Sequence, residues 1–124
     1  MSTSELKWGT YGGVAGGLVS GAMMGIMGVG FVVHMVNSAI IGAGFAIVLG
    51  RFVSGALSGL GAGLVYGGAW WILGPLTLMP MGFGVNWNAA AAAVMVPSLV
   101  GHLMYGSILG LVYTGSVYPV PARS

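Results

Sequence analysis

Apolar residues fill this chain in four long stretches, at residues 9–28, 31–50, 55–74 and 97–117, and polar or turn-forming residues gather between them. Each stretch has the roughly 20 residues that a helix needs to cross about 30 Å of hydrocarbon. MGVGF, residues 27–31, reads as a tight turn between the first two stretches, and Arg51 and Ser54 bracket the next break. The stretches do not alternate polar with apolar, so a porin-like barrel is disfavoured. Backbone groups must then satisfy one another within helices.

The insertion at residues 75–96 breaks this regularity. Pro75, Pro80 and nearby glycines end the third helix, and Asn88 is placed to cap a short helix through Ala89–Val96 that Pro97 stops or kinks. At about 1.5 Å per residue such a piece is too short to cross. It is expected as a half-helix or surface flap, with Pro75, Pro80, Asn86, Asn88 and Pro97 shaping a re-entrant element and Trp87 anchored at the interface. The alternative is one long kinked helix from Asn88 to Val117.

Small residues follow a period of their own inside the spans. Gly13, Gly17, Gly21 and Gly25 form a ladder at spacing four, and Gly55, Gly59, Gly63 and Gly67 form another. Spacing four keeps them on one slowly turning face, and such a face lets another helix backbone approach closely. The second and fourth spans carry matching rows, Ser38–Gly42–Ala46–Gly50 and Gly106–Gly110–Thr114. Each row follows a histidine in the same frame: His34 leads MVNSAIIG and His102 leads LMYGSILG. The histidine frames are offset by 68 residues and the glycine ladders by 42. The expected fold is therefore an all-α membrane protein of four transmembrane helices, a single domain over 1–124. It is built as two tandem helix-hairpin repeats, with the insertion enlarging the second.

Composition turns this pattern into a location. The 124 residues are 57% hydrophobic and 3% charged, whereas soluble domains carry about 25% charged residues. The lipid bilayer is thus the expected surrounding. Lys7, Arg51 and Arg123 fall before the first span, between the second and third, and after the fourth. With four spans these places share one side, so the positive-inside rule puts both termini in the cytoplasm, in a cytoplasmic membrane. The opening MSTSELKWGTYGG has no basic n-region with a short apolar core and a small-residue cleavage site, so no removable signal peptide is expected. A net charge of +2 is too sparse for a nucleic-acid footprint. Zero cysteines exclude disulfides and thiolate chemistry.

The order of His34-x-x-x-Ser38, the glycine-rich third span, GPLTLMPM at 74–81 and GHLMYG at 101–106 resembles the YagU-like group of small multi-pass inner-membrane proteins. That resemblance covers residues 34–110 and implies a multi-pass fold in the cytoplasmic membrane. It implies no catalytic residues.

An enzyme is not expected. Glu5 stands alone before the first span, so no carboxylate pair or hydrolytic triad can be assembled. Three functional readings remain. The leading one is a packing or accessory subunit, or a homo-oligomeric module, using the glycine faces. A second places haem b between His34 and His102, or copper on these and methionines such as Met35 and Met104; against it, each imidazole simply donates a hydrogen bond to the neighbouring helix. The third is a small transporter or channel.

Overall fold

A computed structural model describes residues 1–23, 25–75 and 89–118. It is all-helical, with 89% of it in helix and no strand among the described residues. The helices are α1 (Thr3–Met23), α2 (Gly28–Val48), α3 (Ala56–Leu73) and α4 (Ala89–Tyr113), with short 3-10 turns at Gly50–Phe52 and Thr114–Ser116. Gly28–Val48, Ala56–Leu73 and Met95–Ser116 are long and apolar enough to cross a membrane. The expected first span does not join them. Its many glycines carry no apolar side chain, and α1 takes in Glu5 and Lys7.

Local chemistry sets the helix ends. Ser2 and Glu5 exchange backbone-to-side-chain hydrogen bonds at 2.6 and 3.2 Å, a capping box that opens α1. At its far end α1 stops at Met23, five residues short of the expected 28. Gly25 (φ 66°) and Gly28 (φ 63°) take left-handed conformations there, which glycine adopts without a Cβ penalty. The turn thus precedes MGVGF, and α2 has already begun at Gly28. Before α3 the Ser58 hydroxyl accepts from the backbone N–H of Ser54 (2.9 Å) and of Gly55 (3.0 Å).

Of the two readings of the insertion, the long last helix is the one observed. Ala89–Val96 is no separate half-helix but the opening of α4, which runs through Pro97 without a break. Proline removes one hydrogen bond donor, yet leaving the helix in an apolar medium would strand several backbone groups. Pro75 is buried after the end of α3. Pro80, Asn86, Trp87 and Asn88 lie outside the described residues.

Packing follows the small residues. A Cβ built on Gly9 would meet the Gly42 carbonyl at 2.5 Å, one on Gly13 would collide with Ser38 O, and one on Gly17 would meet Ser38 Cβ at 2.5 Å. α1 and α2 therefore touch backbone to backbone. α3 and α4 meet the same way: Gly59 against Gly110, Gly63 against Gly106, and Gly67 against the His102 carbonyl. The contacts also correct the ladder register. Gly9 faces Gly42 and Ala46 as Gly59 faces Gly110 and Thr114, and Gly13 faces Ser38 and Gly42 as Gly63 faces Gly106 and Gly110. Glycines with equivalent contacts are 50 residues apart, two helical turns from the 42 of the ladders. Gly25 and Gly55 leave the ladder altogether: one lies in the turn with nothing near it, and the other precedes α3 beside the Tyr118 hydroxyl.

A second glycine face on α1 joins the two hairpins. Gly12 packs on Leu109 and Gly16 on Tyr105, both from α4. Aromatic side chains link the remaining sides. Phe45 of α2 makes edge-on contacts with Tyr66 of α3 and Tyr113 of α4, each at 5.3 Å between ring centroids. These residues, with Leu109 and Tyr105, form the core. Outside it, aliphatic side chains such as Val29, Val36, Ile40, Leu57 and Val65 are exposed.

Candidate functional site

Toward the end of the bundle away from Arg51, the four helices line a partly open cavity of about 280 Å³. α1 contributes Ser20, α2 contributes His34, Asn37, Ser38 and Ile41, α3 contributes Trp70, and α4 contributes Gly101, His102 and Tyr105, with Gly74 just past α3. Both histidines thus line one space, although they are 68 residues apart in sequence. The antiparallel order explains this: the C-terminal end of α1, the N-terminal end of α2, the C-terminal end of α3 and the middle of α4 lie at one level.

Phenolic hydroxyls hold the walls together. Tyr105 donates to the Ser38 carbonyl at 2.7 Å and Tyr66 to the Ile41 carbonyl at 2.7 Å. Both acceptors belong to α2, in the turns around Ser38 and Gly42 that also meet α1. Trp71 Nε1 donates to the Met95 carbonyl at 3.0 Å, tying α3 to the part of α4 that precedes Pro97.

The two imidazoles have different partners. His34 Nε2 lies 3.0 Å from the Gly17 carbonyl of α1 and 3.4 Å from the Ser20 hydroxyl. His102 Nδ1 lies 2.8 Å from the Ser98 carbonyl, one turn back on its own helix. His34 is therefore an inter-helix link of the kind expected. His102 is not, because its bond stays within α4. Both rings are half-buried.

A cavity of this size is just under the roughly 300–1,000 Å³ typical of sites for drug-sized ligands, and a porphyrin is a large ligand on that scale. One nitrogen of each ring already faces a carbonyl. Two imidazoles are the ligating side chains on hand, and no group of three His, Asp or Glu exists among the described residues. The cavity thus suits a small molecule better than it suits haem.

Of the packing positions, Gly13, Gly17, Gly21, Ser38 and Gly42 meet across α1–α2, and Gly59, Gly63, Gly67, Gly106 and Gly110 meet across α3–α4. Gly21 packs directly on the His34 ring, at 3.0 Å from Cδ2 for a built Cβ. The sequence reading missed Gly9, Gly12 and Gly16, whose signal lies in the doublets Gly12–Gly13 and Gly16–Gly17: neighbouring helix positions point about 100° apart, so a doublet serves two partners. It also missed Ser20 and Trp70, for which the sequence carries no local mark. No protein-family model, no curated protein and no solved structure matches this chain.

Proposed function

We propose that this chain is a four-span protein of the cytoplasmic membrane, made of two tandem helix-hairpin repeats with both termini cytoplasmic, and that it binds or passes a small uncharged solute through its cavity. It belongs in this reading to the transporter or channel class and is not an enzyme. The observation that carries it is the 280 Å³ space lined from all four helices, with both histidines on its wall. Matched contacts at Gly9/Gly59, Gly13/Gly63 and Gly17/Gly67 support the duplication.

The packing-subunit reading loses its motive. It rested on glycine faces left over for a partner, and the rungs at Gly9 to Gly21 and at Gly59 to Gly67 meet helices of this same chain. The exposed aliphatic side chains suit lipid.

The test is solute entry into liposomes carrying the purified protein, followed by light scattering with glycerol as the solute. Asn37 is exposed and lines the cavity, so Asn37→Trp narrows the space without crowding the helix contacts. Entry well above that of protein-free liposomes, reduced several-fold in Asn37→Trp, is the expected result. Entry equal to that of empty liposomes would remove the transporter or channel reading.

A further inference from the structure

The hydrogen bonds at the two imidazoles determine which tautomer each ring adopts, and with it the chemistry shown to a ligand. A carbonyl oxygen only accepts hydrogen bonds, so the ring nitrogen facing it must carry the proton. His34 is then protonated on Nε2, which faces Gly17 O at 3.0 Å, and His102 on Nδ1, which faces Ser98 O at 2.8 Å. A neutral imidazole has one donor and one acceptor. Nδ1 of His34 and Nε2 of His102 are therefore lone-pair acceptors, and no hydrogen bond occupies either one among the described residues. The nearby hydroxyls do not alter this. Ser20 Oγ and Ser98 Oγ approach the ring nitrogens that already face carbonyls, at 3.4 Å each. The Tyr105 hydroxyl donates its proton to Ser38 O, which leaves its oxygen able only to accept.

From this we infer that the cavity selects small uncharged molecules that bring their own hydrogen-bond donor, alcohols above all, over isosteres that can only accept. The inference rests on the cavity reading above and adds the ligand class to it. The residues that carry these three acceptors, His34, His102 and Tyr105, all line the cavity. Asn37, which also lines the cavity, carries a side-chain N–H, so a hydroxyl, which both donates and accepts, meets complementary partners. An ammonium ion would find no carboxylate there, and an uncompensated charge is costly to bury.

Two measurements on the full chain in lipid nanodiscs test this. Long-range proton–nitrogen correlation spectra of the histidine rings should show opposite tautomers, His34 protonated on Nε2 and His102 on Nδ1. Either ring in the other tautomer would overturn the inference. Binding is then compared for cyclohexanol and cyclohexanone, near-isosteres of which only the alcohol donates, with empty nanodiscs as the blank. The alcohol should bind at least about tenfold more tightly, equivalent to about 1.4 kcal/mol, and this preference should shrink toward unity in His102→Phe while Gly61→Ala retains it. Equal binding, or tighter binding of the ketone, would overturn the donor preference and leave the cavity reading standing. Binding of neither compound above the blank would overturn both.

Discussion

Two tyrosines show how differently one hydroxyl can act within a single apolar core. Tyr105 donates to Ser38 O at 2.7 Å, whereas the fully buried Tyr113 hydroxyl lies over Gly50 with no hydrogen-bond partner among the described residues. A net hydrogen bond contributes about 1 kcal/mol, while an unsatisfied buried polar group costs about 1–3 kcal/mol. Tyr105→Phe should therefore lower stability by about 1 kcal/mol, and Tyr113→Phe should be neutral or stabilising. Thermal unfolding in mild detergent reads both, and a loss on Tyr113→Phe would reveal a partner for that hydroxyl. Glycines divide in the same way. A Cβ on Gly63 would strike the Gly106 carbonyl, while one on Gly61 meets nothing within 4 Å. Backbone cannot give way as a flexible side chain can, so Gly63→Ala should cost at least the 1–3 kcal/mol or so of an overpacked core. Gly61→Ala should gain up to about 1 kcal/mol from helix propensity. The same melting experiment checks the pair, and equal shifts would contradict the close α3–α4 contact.

Helices here are joined by backbone proximity on some sides and by side chains on others. Glycine rows let α1 meet α2 and α3 meet α4, and Gly12 and Gly16 bring α1 onto α4. α2 meets α3 through Tyr66 and Phe45, and the cavity lies farther along, between Ile41 and Trp70. The α1–α2 turn depends on conformation and not on space. Gly25 and Gly28 have nothing within 4 Å of a built Cβ, yet both have φ above 60°. Gly25→Ala and Gly28→Ala should each cost about 1–2 kcal/mol, against the gain expected at Gly61. Unchanged melting in both would mean that the turn tolerates another backbone conformation.

At the scale of the molecule, the proposed topology places the N-terminal end of α1 and the α2–α3 connection on one side of the membrane, and the α1–α2 turn on the other. With zero native cysteines, single replacements report this directly. Ser4→Cys and Ser54→Cys should react with an impermeant thiol reagent only in inside-out vesicles, and Met27→Cys only in right-side-out ones. Labelling of Ser4→Cys and Ser54→Cys from opposite sides would refute the four-span topology. Because the glycine faces meet helices of the same chain, the solubilised protein should also sediment as a monomer, and a stable oligomer would revive the subunit reading.

The sequence by itself determined the apolar character of the long stretches, the helical class and the residue types at the helix contacts. Charge at 3% and runs of about 20 apolar residues leave few alternatives in lipid, because every backbone group must be satisfied inside its own segment. It also singled out His34 and His102 as a pair. Tertiary structure alone decided register and partners. A ladder with a period of four looks the same after sliding by two rungs, so only the contacts show which residues Gly9 and Gly59 meet. Pro97 marks a break in any local reading, but packing of α4 and the apolar surroundings carry the helix through it. The cavity, too, is a property of the assembled bundle: Ser20 and Trp70 carry no signal along the chain, and they reach the histidines only because the antiparallel helices bring four distant stretches to one level.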